Sequence, residues 1–481
     1  MPGQAEQERY QSPFSARYAG GEMQQLLSQA HRARLFRRLW VILAESQKEL
    51  GLPITDEQIA EMKAHTEDID FGSVSLLERE LRHDVMAHLK AFAAVCPGAA
   101  PILHLGATSC YVTDNADVLI LRDAMGLVRG RLVNVARALY AFAEKHKGLP
   151  LLSFTHFQPA QPTTLGKRAC LWLQDLLMDL RAAEQFLSVL RPLGSKGATG
   201  TQASFLSLFD GDYEKVKRLD LLTARRMGFD RPIAVSGQTY SRKLDSEALN
   251  ILSGIAQSAH KFSNDIRLLQ HLKEVEEPFE TAQVGSSAMP YKRNPMRCER
   301  MAGLARFLIS NALNAHSTAA EQWLERTLDD SANRRLSLAE GFLASDGLLA
   351  LYQNVASGLA VYPKMMEKHL REELPFMATE DILMRAVLSG GNRQELHERL
   401  RLHAMDAGKR VKEEGLNNDL LERVAADPAF ALDRKALEKL MDPADYTGCA
   451  EMQAEDYLLG EAMEALAKFS DIPADSPDIL L

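Results

Sequence analysis

Residues 241–276 read SRKLDSEALNILSGIAQSAHKFSNDIRLLQHLKEVE, a stretch with one glycine and no proline. Its apolar residues alternate four and three positions apart, at Ala248, Leu252, Ile255, Ala259, Phe262, Ile266 and Leu269. This spacing is typical of long helices that pack side by side at a shallow angle. A helix of this length would reach roughly 50 Å at about 1.5 Å per residue. The stretch therefore predicts one rod of a helical bundle.

Four more segments predict rods of the same kind. Two of them carry the same stripe, at Leu121, Met125, Val128, Leu132, Val135, Leu139 and Phe142, and at Leu173, Leu176, Leu180, Ala183, Leu187 and Leu190. The other two are helical stretches near 296–324 and 332–360. Five rods imply a long central bundle. An ordinary monomer core would show such stripes too, but rods of this length are hard to cover with their own chain, so we expect a homo-oligomer.

The segments on either side of the bundle contain shorter helices and more breaks. Pro53 and the region from Cys96 to Pro101 interrupt the N-terminal part, and Pro363 opens a C-terminal part that is richer in turns. The sequence has no convincing series of strands. We therefore predict an all-α fold in three domains: an N-terminal helical domain at 1–108, a central long-helix bundle at 109–361, and a C-terminal helical domain at 362–481.

Composition narrows the classes of protein and partner. The chain has 481 residues, 46% hydrophobic and 7% aromatic, which allows a large core and favours helix over sheet. A net charge of -9 without a long basic run argues against nucleic acid or an anionic membrane as the main partner. No apolar run is long enough for a membrane span, and the N-terminus lacks the apolar core of a signal peptide. Five scattered cysteines without a CxxC pair predict reduced thiols, a cytoplasmic protein and no metal site.

The breaks between the predicted rods are unusually polar. They lie at 104–117, 155–168, 194–202, 236–243, 285–295 and 325–335. Each is a weak signal alone, since a glycine-rich loop is most often a simple turn. Together, polar loops on a rigid scaffold are the usual layout of an active site. Cations lie in or beside them at Arg17, Arg82, Lys292, Arg293, Arg297, Arg300, Arg326 and Arg335. Because guanidinium groups match carboxylate and phosphate oxygens, we expect a small polyanionic ligand.

The loop at 285–295 reads GSSAMPYKRNP, and by composition alone it would pass for a polar surface loop. It resembles the signature loop of the fumarase/aspartase superfamily at seven positions of fixed spacing. RHDVMAH at 82–88, TSCYVTDNAD at 108–117, THFQPAQPTTLGKR at 155–168 and ELPFMATE at 373–380 resemble the adenylosuccinate lyase family, most closely its longer animal-type branch. The resemblance runs nearly end to end and is weakest in the first ten residues and after about 400.

The resemblance implies an all-helical homotetramer. Each active site would be built from three subunits, through the segments at 108–117, 155–168 and 285–295. The implied reaction is a β-elimination that releases fumarate from adenylosuccinate, giving AMP, and from succinyl-aminoimidazole carboxamide ribotide, giving AICAR. The implied partners are these phosphorylated succinyl nucleotides, and no metal or organic cofactor is implied.

Residue roles also follow from the resemblance. Ser286 would be the general base, on a loop that closes over the substrate, and His156 would be the general acid. Glu299 would orient the acid, unless it is merely a carboxylate on a helix surface. The implied substrate-binding residues are Arg17, Tyr18, Arg82, His83, Asp84, Thr108, Ser109, Gln238, Lys292, Asn294, Arg300, Arg326, Ser331 and Arg335. For His83, Tyr18 and Asp84 a structural role is the alternative.

Elimination next to a carboxylate creates a dianion that needs preorganised amides and cations. A serine acts as a base only as a stabilised alkoxide, whereas an imidazole titrates near neutrality and suits a general acid.

Two other interpretations of the function stay open. Another lyase of the superfamily, such as argininosuccinate lyase or fumarase, fits less well with the YKR and RHD triplets, which suit a phosphate. A helical structural protein would be expected to have lost Ser286 or His156.

Overall fold

The N-terminal part is a series of short helices around one longer one. The computed structural model describes residues 8, 10–280, 283–285 and 287–475. A π-helical turn at Phe14–Tyr18 is followed by α1 (Gly21–Leu26), α2 (Gln29–Glu49), α3 (Asp56–Ala64), α4 (Phe71–Leu81), α5 (Asp84–Val95) and a 3-10 turn at Ala100–Ile102. Thr55 and Gln58 form a capping box at the start of α3, which explains why that helix begins there.

Five long helices dominate the middle of the chain. The elements in order are α6 (Ser109–Lys145), β1 (Pro150–Thr155), β2 (Gln158–Thr164), α7 (Leu165–Val189), α8 (Ala203–Leu208), α9 (Tyr213–Arg226), α10 (Lys243–His271), β3 (Val275–Glu276), α11 (Met296–Ala320), α12 (Asp330–Gly358) and β4 (Ala360–Val361). Helices α6, α7, α10, α11 and α12 pack on one another as a bundle. The five rods predicted from the sequence are therefore confirmed.

The C-terminal part contains shorter helices. They are α13 (Pro363–Met377), α14 (Thr379–Leu388), α15 (Arg393–Glu413), α16 (Leu420–Ala426), α17 (Arg434–Glu438), α18 (Ala450–Tyr457) and α19 (Met463–Ala467), with 3-10 turns at Pro428–Phe430 and Pro443–Tyr446 and a π-helical turn at Leu458–Ala462. Among the described helices, none is long and apolar enough to cross a membrane. All five cysteines lie within the described residues and are free.

The apolar stripes explain the bundle. Every member of the stripe on α10 is at most 4% exposed, and every member of the stripe on α6 is at most 8% exposed. Their side chains form one core, which also takes in Met23 from α1 and Leu458 from the C-terminal part. A second core joins α2 and α5 to the first half of α6 and to α9, and a third lies among α14 to α17. The division into domains at 1–108, 109–361 and 362–481 stays a prediction.

The sequence did not predict the strands. Strands β1 and β2 pair antiparallel, with Pro150 opposite Thr164 and Thr155 opposite Gln158. The prolines of β2 suggested a loop, but a two-stranded hairpin has only edge strands, where a residue without an N–H is tolerated. Leu151 and Leu152 anchor the hairpin by burying their side chains. The all-α class is confirmed, since the only other described strands, β3 and β4, contribute two residues each.

The bundle has two distinct ends. We call one the Ser109 end, because α6 begins there; Arg242, just before α10, donates to Asp330 at the start of α12, so these helices begin at the same end. The other is the hairpin end, where α6 stops, β1 and β2 follow, α10 stops and α11 begins. The 37 residues of α6 span about 55 Å between them.

Candidate active site

The Ser109 end brings together four predicted site residues from three helices. His83 caps α5, and its Nδ1 accepts from the backbone N–H of Met86 at 3.3 Å. Its Nε2 lies 3.4 Å from the hydroxyl of Ser109, in the first turn of α6. Arg335 of α12 donates to Asp84 Oδ2 at 3.1 Å. These contacts join residues 251 positions apart in sequence, and they support placing His83, Asp84, Ser109 and Arg335 in one site.

Gln238 lies beside this group and connects three loops. Its side-chain amide donates to the carbonyl of Ala198 at 2.9 Å, and its backbone N–H donates to the carbonyl of Glu325 at 3.0 Å. The thiol of Cys110 donates to its Oε1 at 3.4 Å. Gly200 makes the approach of these loops feasible, because its φ is +82° and a Cβ there would lie 1.9 Å from the carbonyl oxygen of Ser236. The loop at 194–202 is thus more than a simple turn.

The remaining predicted residues of this end lie around the start of α12. Arg326 forms an ion pair with Asp330, its Nη1 lying 2.9 Å from both carboxylate oxygens. Ser331 and Thr108 are half-buried at the starts of α12 and α6. Arg82 ends α4 in the left-handed region, with φ 54°, and is exposed. Three guanidinium groups, of Arg82, Arg326 and Arg335, therefore lie at the Ser109 end, as a polyanionic ligand would need.

The hairpin end carries the predicted general acid. His156 and Phe157 form the two-residue turn between β1 and β2, with φ values of 54° and 56°. Positive φ at both positions is the signature of the turns whose twist matches a two-stranded hairpin. Phe157 packs near Phe154, with ring centroids 5.6 Å apart. This geometry presents an exposed imidazole at the tip of a projecting hairpin.

The signature loop lies at the same end, between α10 and α11. The side-chain amide of Asn294 donates to the carbonyl of Gly285 at 2.7 Å, and the backbone N–H of Lys292 donates to the carbonyl of Met289 at 3.0 Å. Arg293 lies 3.4 Å from a carboxylate oxygen of Glu276. Lys292 is exposed and Asn294 half-buried. The predicted base, Ser286, lies outside the described residues.

A buried carboxylate fixes the start of α11, which carries two more predicted residues. Glu277 accepts from the backbone N–H groups of Arg297 and Cys298 at 3.0 and 2.9 Å. Burial raises the pKa of Glu277. This arrangement satisfies two N–H groups that a helix start leaves without partners. It thereby sets the direction of α11, where Glu299 is exposed and Arg300 is half-buried.

Arg17 and Tyr18 belong to neither end. Tyr18 packs against Gly347, where a Cβ would lie 2.5 Å from the Cβ of Tyr18. Gly347 lies 17 residues into α12, roughly 25 Å from its start. Arg17 is exposed on the same turn. Within the described residues, Arg17 and Tyr18 therefore have no contact with the predicted site residues at the Ser109 end or at the hairpin end.

One chain does not bring all predicted residues together. His156 is separated from Ser109 by the whole of α6, about 55 Å. A hairpin whose strands have six and seven residues can recover only about 20 Å of this distance. The contacts support two half-sites, one at each end of the bundle.

Sequence reasoning missed a set of buried charged side chains under the Ser109 half-site, at Asp114, Asp117, Arg242, Asp245, Asp330 and Arg334. Their signal was the pair of aspartates, Asp114 and Asp117, within the polar segment at 108–117.

Comparison with known proteins decides the family. Residues 26–309 match a family model described as Lyase, and residues 375–457 match one described as Adenylosuccinate lyase C-terminus. A protein of Saccharomyces cerevisiae named adenylosuccinate lyase is 51% identical over 465 residues, covering 96% of each chain. The chain belongs to the adenylosuccinate lyase family. A member of this family from Schistosoma mansoni is 49% identical over 479 residues, covering 98% of this chain and 99% of its own.

Solved structures place the family within its superfamily. A 3-carboxy-cis,cis-muconate lactonizing enzyme from Pseudomonas putida superposes with a TM-score of 0.80 at 25% identity, covering 96% of this chain and 100% of its own. A fumarate lyase from Mesorhizobium sp. BNC1 gives 0.78 at 25% identity, with 94% and 100% covered. The resemblance to the fumarase/aspartase superfamily is confirmed. The roles assigned to individual residues stay predictions.

Proposed function

We propose that this chain is a carbon–nitrogen lyase of purine biosynthesis that releases fumarate from adenylosuccinate, giving AMP, and from succinyl-aminoimidazole carboxamide ribotide, giving AICAR. The observation that carries this function is the 51% identity to a protein named adenylosuccinate lyase along 96% of both chains. At such identity over nearly the full length, this chain and its relative are expected to share both the fold and the functional sites.

In the proposed mechanism a base takes a proton from the succinyl carbon next to a carboxylate, the carbon–nitrogen bond breaks, and the leaving nitrogen is protonated. We assign the base to Ser286 by its place in the signature loop. We assign the acid to His156, because the hairpin turn presents its imidazole to a partner or ligand and imidazole exchanges protons near neutral pH. Lys292 and Asn294 would hold a carboxylate of the succinyl group, and Glu299 would orient the acid.

The Ser109 half-site is proposed to bind the nucleotide. Arg326 and Arg335 supply guanidinium groups that match phosphate and carboxylate oxygens, and His83 and Ser109 supply further hydrogen-bonding groups. Gln238 presents a side chain whose orientation is set by Cys110 and Ala198. The alternatives in the superfamily act on substrates without a phosphate, so the number of cations here favours the nucleotide lyase.

We also propose that the chain works as a cytoplasmic homotetramer with shared active sites. The two half-sites lie at opposite ends of one bundle, so a complete site needs a second copy to supply the missing half. Large apolar side chains stay exposed on the long helices, including Leu171 and Met178 of α7 and Leu313 of α11, which are 49%, 57% and 67% exposed. Burying such side chains between copies is favourable.

The direct test is turnover. Adenylosuccinate is added to the purified protein and the release of fumarate and AMP is followed by absorbance, with argininosuccinate and malate as comparison substrates. We expect turnover of adenylosuccinate alone. Turnover of argininosuccinate or malate instead would assign the chain to another lyase of the superfamily, and turnover of none of the three would favour a structural protein.

A further inference from the structure

A buried network of charges lies directly beneath the Ser109 half-site. It links the starts of α6, α10 and α12. Ser109 lies on α6, Ser331 and Arg335 lie on α12, and Gln238 lies in the loop before α10. Its members are Asp114, Asp117, Tyr240, Arg242, Asp245, Asp330 and Arg334, all at most 9% exposed. Arg32 and Arg326 join it from the side. Four arginines thus face four aspartates, and the network is balanced in charge.

Arg242 is the centre of one half of this network. Its Nε donates to Asp330 Oδ2 at 2.7 Å, and its Nη1 and Nη2 donate to the two carboxylate oxygens of Asp114 at 2.9 and 3.4 Å. The guanidinium also lies over the ring of Tyr240, 4.5 Å from the centroid. The side chains of Arg242 and Asp330 are 1% and 0% exposed. Asp330 is therefore held by a buried guanidinium that a second carboxylate, Asp114, engages from its other side.

Asp330 also holds a guanidinium on its other side. Both of its oxygens accept from Nη1 of Arg326 at 2.9 Å, and the Arg326 side chain is 23% exposed, so part of it faces the half-site. Among the described contacts, Nη1 is the only Arg326 side-chain donor in use. A carboxylate that fixes Nη1 in this way leaves Nε and Nη2 of the same guanidinium to bind a ligand.

Stability alone does not explain so many buried charges. Taking charged groups out of water costs free energy, and ion pairing often does no more than offset this cost. A well-packed apolar cluster would therefore stabilise the fold equally well. Burial would raise the pKa of Asp117, but Arg32 and Arg334 lower it to about 2, so this carboxylate stays charged. Burial raises the pKa of Asp114 despite Arg242. A buried network that carries such a cost is suited to fixing geometry.

We infer that Arg242 and Asp330 are positioning residues for the anion-binding guanidinium of Arg326. The inference rests on the proposed function, because it takes Arg326 as a ligand for the phosphate or carboxylate of the substrate. Asp330 orients Arg326, and Arg242 holds Asp330. Preorganising a binding group in this way lowers the cost of ordering it when the substrate arrives.

A double-mutant cycle tests the inference. Asp330→Asn should raise KM for adenylosuccinate about tenfold with kcat changed less than about threefold, because ground-state and transition-state binding are lost together. In the Arg326→Ala background the same substitution should change KM less than about twofold, since its effect acts through Arg326. Additive effects, or a kcat loss without a KM change, would overturn the positioning role.

Two further variants keep the test decisive. Arg242→Lys keeps the charge but loses the fork that engages Asp114 and Asp330, and should raise KM with the same dependence on Arg326; it decides the matter if Asp330→Asn does not fold. The matched control is Asp427→Asn, which removes a largely buried carboxylate, 10% exposed, that pairs with His403 in the C-terminal part. Its KM should be unchanged, and a rise equal to that of Asp330→Asn would overturn the inference.

A second readout separates this inference from the proposed function. Calorimetry with AMP measures binding without requiring turnover. If the unaltered protein does not turn over adenylosuccinate, the proposed function fails, and the AMP dissociation constants of the same variants still decide the positioning role. Weaker AMP binding in Asp330→Asn that disappears in the Arg326→Ala background supports it, and unchanged AMP binding overturns it.

Discussion

Asn294 donates from its side-chain amide to the carbonyl oxygen of Gly285 at 2.7 Å, across nine residues of the signature loop. The same glycine lies so close to Lys292 that a Cβ on it would be 2.3 Å from the carbonyl oxygen of Lys292. These two contacts tie the beginning of the loop to its end. A glycine is required at 285 for a steric reason, because a side chain there would collide with the backbone at the other end of the loop.

Gly285→Ala should therefore impair activity without unfolding the protein. The added methyl group meets the backbone of Lys292, which cannot move away as a flexible side chain would, so the loop must rearrange. We expect kcat/KM for adenylosuccinate to fall by about 10²-fold or more, because small displacements of catalytic groups are costly. The control is Gly408→Ala in α15, where a Cβ meets nothing within 4 Å. Unchanged kinetics of Gly285→Ala would contradict the tied-loop interpretation.

The proposed acid and base can be tested by removing them. His156→Ala and Ser286→Ala should each lower kcat by roughly 10²–10⁴-fold while circular dichroism stays unchanged, because loss of proton transfer affects chemistry and not folding. His397→Ala and Ser188→Ala are suitable controls, since both residues are exposed on helices away from the half-sites. Near-normal turnover by either catalytic variant would remove that residue from its assigned role.

Shared sites predict rescue between inactive variants. His156 lies at the hairpin end and His83 at the Ser109 end, so His156→Ala and His83→Ala damage different halves of the site. When the two variants are mixed and their subunits exchanged, some sites receive both intact halves, about a quarter of them for random assembly. We expect activity to rise well above that of either variant alone. Mixing each variant with itself is the control, and no gain after verified exchange would count against shared sites.

The sequence predicted the bundle well because helical packing leaves a local signal. The stripe on α10 is buried as expected, and the helix at Lys243–His271 falls within the predicted 241–276. The hairpin at Pro150–Thr164 was missed because pairing between strands depends on contacts that local composition does not reveal, and because its prolines are typical of loops. Strand pairing is thus where local reasoning was weakest.

The candidate site shows the same division. The polar breaks supplied the candidate site residues, but not which of them meet. Arg335 and Asp84 pair across 251 residues, and no periodicity encodes that contact. Likewise, Asp114 belongs to the polar segment at 108–117, and its partner Arg242 lies 128 residues away. The resemblance to a family supplied candidate residues, whereas the separation into two half-sites follows from the length of α6.

A last prediction concerns pH and the histidine beneath the Ser109 half-site. His104 Nδ1 accepts from the indole N–H of Trp40 at 2.9 Å. Burial, with a smaller contribution from His83, lowers the pKa of His104 to about 4. In the unfolded chain a histidine titrates near 6.5. The unfolded state therefore binds a proton between about pH 6.5 and 4 that the native state does not, and the stability from the neutral imidazole is lost as pH falls through this window.

The loss between pH 7 and pH 4.5 should be about 2 kcal/mol per chain, which is most of the about 3 kcal/mol that a pKa difference of about 2.5 represents in full. It is measured from urea unfolding at pH 7 and pH 4.5 at one protein concentration, since the proposed subunit association would also contribute. His104→Asn keeps a residue that tolerates the φ of 61° and removes the titrating group. It should be less stable at pH 7 but lose less stability on acidification. His397→Ala, an exposed control, should keep the full loss, and an equal loss in His104→Asn would show that the drop arises elsewhere.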